Sequence, residues 1–113
     1  RLAPSIPYTT PTVSLDDDQL RVLYPGEDNT ACKEWSATGG NTIKSFYVTH
    51  ATETGYDFFT VSADGVEVYN KSGNKTNKFV DISASPATTL EACMTADSST
   101  QEGFGGEVTG VFY

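Results

Sequence analysis

The stretch Asp57-Phe58-Phe59-Thr60-Val61-Ser62-Ala63-Asp64-Gly65-Val66-Glu67-Val68-Tyr69 decides the fold class. Two runs rich in β-branched and aromatic residues, Asp57 to Ser62 and Val66 to Tyr69, flank the breaker Asp64-Gly65, and neither has helical spacing. Period 2 sends Phe59 and Val61 to one face and Phe58 and Thr60 to the other, as in a half-buried strand.

The same rhythm extends in both directions. Further candidate strands are Leu20 to Tyr24, Thr42 to Thr49, Phe79 to Ser83, Thr88 to Thr95 and Glu107 to Tyr113. Breakers separate them at Pro25-Gly26, Thr38-Gly39-Gly40-Asn41, Ser72-Gly73-Asn74, Ser85-Pro86 and Gly103 to Gly106. Short strands at this turn spacing fit an all-β antiparallel β-sandwich better than a barrel or an α/β layer. Ile43 falls in opposite parity to Phe46 and Val48, which implies a bulge near Ser45. The expected core is Trp35, Phe46, Val48, Phe59, Val61, Val68, Val80, Ile82, Leu90, Cys93 and Val111. Residues 1–14 carry three prolines and five Ser or Thr with no apolar period, so they form an extended arm ahead of a domain spanning 15–113. Such an arm serves as a linker, a glycosylated stalk or a strand that pairs with another copy.

The 113 residues make one domain, too small for a cleft between two. Fifteen acidic residues against seven basic ones give a net charge of -8, and there is no Lys/Arg cluster. That balance removes the electrostatic attraction on which nucleic-acid and anionic-membrane binding rest. No apolar run approaches the ~20 residues of a membrane helix, and the start Arg1-Leu2-Ala3-Pro4 reads as that of a mature or excised segment. Ser and Thr together make up roughly a quarter of the chain while charged residues are scarce beside an average of about 25%. That polar surface suits a secreted adhesion or glycan-handling domain.

Cys32 and Cys93 allow one pairing and neither has metal-site spacing, so they are expected to form a disulfide; two free thiols are the alternative. Asn70-Lys71-Ser72 and Asn74-Lys75-Thr76 are N-glycosylation acceptors in a stretch that reads as an exposed turn. Together these features favour an oxidising, extracellular compartment.

Catalytic parts are few. His50 is the only histidine, expected to cap a strand end or face solvent, and no nucleophile elbow or phosphate loop is present. A small hydrolase would rest on carboxylates alone. Glu53, Asp57 and Asp97 fall at strand and loop junctions, where acidic oxygens from several loops make the hard-ligand cage Ca²⁺ prefers. Asp16-Asp17-Asp18 and Glu27-Asp28 are competing acidic clusters that suit a solvated surface equally well.

Two segments resemble the CUB and spermadhesin family of secreted β-sandwiches. Ile43 to Phe46, then Glu53-Thr54-Gly55-Tyr56-Asp57-Phe58-Phe59-Thr60-Val61 and Asp64-Gly65, look like its strand, Tyr-Asp pair and aromatic strand. Thr89 to Ser99, with Gly103-Phe104 and the closing strand to Tyr113, is similar to its late strand, Asp-x-Ser loop and Gly-Phe element. The likeness covers about residues 30–113. It implies a CUB-like jelly roll without catalysis that binds extracellular protein or glycan, with Ca²⁺ ordering the loops that engage a partner's lysine. Asp57 and Asp97 map directly onto the family's ligands, and Ser99 supplies a carbonyl or hydroxyl. The family's Glu falls where this chain has Thr49, and Glu53 is the nearest substitute. The family's second cysteine pair is missing. Tyr56, Asp57 and Asp97 become the expected ligand contacts, and Tyr24, Trp35, Tyr47, Tyr56 and Tyr69 are aromatic candidates for sugar stacking. The alternative function is a structural subunit whose arm pairs with a neighbouring copy.

Overall fold

The computed structural model describes residues 10–98 and 103–113, so residues 1–9 of the arm and the candidate ligand Ser99 lie outside the described residues. Among the described residues there are nine strands and no helix: β1 (Val13–Ser14), β2 (Arg21–Leu23), β3 (Thr30–Ser36), β4 (Ser45–Ala51), β5 (Phe58–Ala63), β6 (Val66–Lys71), β7 (Asn74–Asp81), β8 (Thr89–Thr95) and β9 (Gly105–Phe112). They build two antiparallel sheets, so the protein is an all-β sandwich. One sheet runs β3-β8-β5-β6. The other runs β1-β9-β4-β7, with β2 also paired to β9.

Asp64 and Gly65 both take left-handed backbone, at φ 48° and 85°, which is the geometry a two-residue turn needs to match the twist of its flanking strands. The turn closes β5 on β6 with Ala63 opposite Val66. Along β5 burial alternates as expected, with Phe59 and Val61 fully enclosed and Phe58 and Thr60 on the outer face. Leu90, Ala92 and Met94 take the inward positions of β8, which sends Cys93 outward. Cys93 is therefore not a core residue. It faces Cys32 directly across the β3–β8 ladder, and the two form the expected disulfide on the sheet's outer face. Trp35, Val68 and Val80 are only partly buried and pack against the core from its margin.

The irregularity expected near Ser45 lies further on and in the neighbours of β4. Register shifts between Tyr47 and Val48 against β9, which skips Thr109, and between Val48 and His50 against β7. Asn77 takes φ 48° at the second shift, and its N–H donates to Thr49 Oγ1 at 2.9 Å. Ile43 is outside β4 altogether, bridged to Ala87 and fully buried. β7 starts at Asn74 and not near Phe79, because its polar half is an exposed edge that β4 holds by backbone pairing. At the end of the arm, Val13–Ser14 pair with β9 of the same chain, and Thr12 Oγ1 accepts the Tyr113 N–H at 3.2 Å.

The glycines at 103–106 do more than end strands. Gly105 and Gly106 belong to β9, opposite Leu23 and Val22, and the Phe59 ring lies directly on Gly106. A Cβ at Gly106 would sit 2.2 Å from a Phe59 ring carbon, so the two sheets approach closely only where position 106 has no side chain. Gly106→Ala should cost about 1–3 kcal/mol in urea unfolding. Phe59→Leu in the same chain should offset part of that loss, and strict additivity of the two changes would rule out this contact as the cause.

Candidate functional site

Three loops meet at the end of the sandwich where β5 begins. They are the segment after β2 (Tyr24 to Asn29), the β4–β5 connection (Thr52 to Asp57) and the stretch after β8 (Ala96 to Ser98). The first and third are joined by backbone bonds, Asp28 N–H to Asp97 O at 2.9 Å and Ala96 N–H to Asn29 O at 3.0 Å. Within the second, the Tyr56 and Asp57 N–H groups both donate to Glu53 O, a turn that presents Glu53 and Asp57 side by side.

Asp57 is fully buried. A carboxylate survives such burial only when hydrogen bonds replace its water. Here Tyr24 OH donates to Oδ2 at 2.7 Å and the Asp97 N–H donates to Oδ1 at 2.9 Å. The Tyr24 phenol also accepts the Glu53 N–H at 3.1 Å, so one oxygen ties Glu53 to Asp57. Thr52 Oγ1 donates to Asp57 O at 2.9 Å and accepts the Gly73 N–H at 2.8 Å, joining the β6–β7 corner to the same network.

The structure thus gathers three of the four predicted ligands. Carboxylate oxygens of Glu53, Asp57 and Asp97 lie within 4.8 Å of one another, with Asp57 buried and the other two half-buried. Two like charges about 5 Å apart repel by on the order of 3 kcal/mol at an effective dielectric of 20. An all-oxygen donor set with that charge fits a hard divalent cation. Of the competing acids, Asp16 to Asp18 are exposed, with Asp17 paired to Arg21 at 2.8 Å, and Glu27 and Asp28 are exposed on the first of the three loops. Cys32, Glu91 and Cys93 also lie close together, but the disulfide consumes both thiols.

Among the aromatic candidates, only Tyr56 is open, at 63% exposure, and it stands on the acidic loop. Tyr47 and Tyr69 are buried, Trp35 packs against the core and Tyr24 holds Asp57, so these four do not form a stacking surface. Asn70 and Asn74 are both exposed, though on strands β6 and β7 and not in a turn.

His50, expected to cap a strand end or face solvent, is buried beside Phe59 and Tyr69 near the end of β4. A carbonyl only accepts, so Nδ1 carries the proton and donates to Gly73 O at 2.8 Å, while Nε2 accepts from Tyr69 OH at 2.7 Å. His50 thus joins the acidic network through Gly73 and Thr52. Nothing in its polar surroundings, Thr49-His50-Ala51-Thr52, signals this. No protein-family model, curated protein or solved structure matches the chain.

Burial pulls the His50 imidazole below its ordinary 6.5, with the Gly73 hydrogen bond opposing and Lys75 adding to the effect. Burial likewise pushes the Tyr69 phenol up to about 12, so Tyr69 stays a donor at neutral pH. The unfolded chain therefore takes up a proton near pH 6.5 that the folded chain resists. Stability that is complete above 6.5 is lost as pH falls toward the lower folded value. Asp64 and Asp81, lowered from 3.8 by hydrogen bonds, titrate below this window, and Glu107, raised from 4.5 by burial, acts with the opposite sign. Urea unfolding at pH 7.5 and 5.5 should show wild type losing stability on acidification and His50→Phe losing less; an equal drop in both would refute the assignment.

Proposed function

We propose that the protein is a secreted, non-catalytic binding module of CUB-like type that recognises protein or glycan through the loops of its acidic end. The convergence of Glu53, Asp57 and Asp97 within 4.8 Å is the observation that carries this reading. A bound Ca²⁺ would supply positive charge to these carboxylates and order the loops that present Tyr56. The residues of the chain do the positioning: Tyr24 orients Asp57, the Asp97 backbone fixes the late loop against it, and Thr52 anchors the β4–β5 connection to Gly73. The disulfide and the two exposed acceptor asparagines support an extracellular setting. No helix among the described residues is long and apolar enough to cross a membrane. Of the described arm residues, Val13–Ser14 pair with β9 of the same chain.

Thermal unfolding with and without millimolar Ca²⁺ tests the metal. A hundredfold excess over Kd stabilises by about 2.7 kcal/mol, on the order of 10 °C in Tm for a domain this size. Glu53→Gln and Asp97→Asn, which keep the shape and the backbone bonds, should abolish most of that shift. An unchanged Tm in wild type would remove Ca²⁺ from the reading, and a glycan array run with and without Ca²⁺ would then test the loops alone.

A further inference from the structure

The far end of the sandwich holds a second concavity. A pocket of about 600 Å³ opens between the start of the edge strand β6 and the connection that follows β7, with Val66, Val68, Ile82 and Pro86 among its walls. It lies about 20 Å from the acidic loops, the length of β5, whose first residue follows Asp57 and whose last, Ala63, lines the pocket. The volume is that of a ligand site. Val66 is 65% exposed, one of only three large apolar side chains so open among the described residues.

Two carboxylates sit on this apolar surface. Asp64 accepts the Thr88 and Thr89 N–H groups and the Thr88 hydroxyl at 3.0–3.2 Å, and Asp81 accepts the Ser83 N–H at 2.9 Å. The bonds hold both side chains in place and keep both ionised, with their acidity increased by Thr88 at one and Ser83 at the other. Neither is ion-paired within the described residues, where the Arg21–Asp17 bridge stands alone.

Apolar walls with two fixed negative groups match a flexible aliphatic stem that ends in a cation. We propose that this pocket binds a basic segment of a partner polypeptide, taking a lysine or arginine whose stem lies along Val66 and Val68 and whose charged head meets Asp64 and Asp81. The volume exceeds one such side chain, so an apolar neighbour on the same segment fills the remainder beside Ile82 and Pro86. Charge complementarity selects this occupant over an acidic or neutral one, because the whole chain carries -8.

The test is an NMR titration of the ¹⁵N-labelled full chain with the peptide acetyl-Val-Lys-Val-amide and its norleucine analogue, which keeps the stem and removes the charge. The lysine peptide should shift the amides of Asp64, Val66, Val68 and Asp81 with a saturable, salt-sensitive curve. Norleucine, Asp81→Asn and Val66→Ser should each weaken binding by about tenfold or more, the size of one lost charged or apolar contact. Asp97→Asn should leave it intact, which separates this site from the acidic loops. Equal affinity for norleucine, shifts confined to Glu53, Asp57 and Asp97, or no shift at several millimolar peptide would each overturn the proposal.

Discussion

The buried carboxylate of Asp57 is the constraint around which one end of this sandwich is arranged. Leaving it without donors would cost several kcal/mol, a large part of the stability of a domain this small. Its two donors come from distant parts of the chain, Tyr24 at the end of β2 and the backbone of Asp97 after β8. Satisfying one side chain therefore fixes three loops relative to one another. The backbone bonds between Asp28 and Asp97 and between Ala96 and Asn29 follow from that closure. Glu53 is brought to Asp57 as a consequence, because the Tyr24 oxygen that donates to one accepts the N–H of the other.

The central strands were legible because both their faces are decided by packing. β5 and β8 show an alternating pattern, and β4 carries Phe46 and Val48 inward. Of the edge strands, β6 was legible from Val66 to Tyr69, whereas β3 and the first part of β7 were not, for a different reason in each case. β3 turns Lys33 toward the same side as Ala31 and Trp35, and that lysine reaches the Asp18 carbonyl, which erases the alternation. The first half of β7 is Asn74 to Lys78, polar throughout, and becomes a strand because β4 offers it a ladder. β3 and the first part of β7 take their strand conformation from a neighbour's unpaired backbone more than from their own side chains. Gly105 and Gly106 at the start of β9 misled similarly: they read as breakers, whereas the Val22 carbonyl and Phe59 need the space they leave.

The acidic site was legible to the extent that its residues sit at element junctions, where side chains project from loops. Glu53, Asp57 and Asp97 were marked by that placement, and three-dimensional closure separated them from Asp16 to Asp18, which chain order could not do. What holds them was hidden. The role of Tyr24 depends on β2 pairing with the start of β9, a contact more than eighty residues away in sequence. The burial of His50 depends on Phe59 and Tyr69 closing over it from the opposite sheet. Neither dependence leaves a local pattern.

The charge of -8 resolves into distinct placements with distinct consequences. Asp16 to Asp18 form an excursion between β1 and β2, partly neutralised by Arg21, where solubility is explanation enough. Glu53, Asp57 and Asp97 gather at one end, and Asp64 and Asp81 flank an apolar pocket at the other. Between the ends, Glu34 stands opposite Glu91 on the outer face, with Ser62 and then Glu67 continuing the same row. Like charges facing each other across a ladder oppose folding. A chain that folds for stability alone would separate them. Their placement on one face, with further carboxylates at both ends, adds to a negative potential along the sandwich, while the two ends differ in local geometry, three converging carboxylates at one and an apolar pocket at the other.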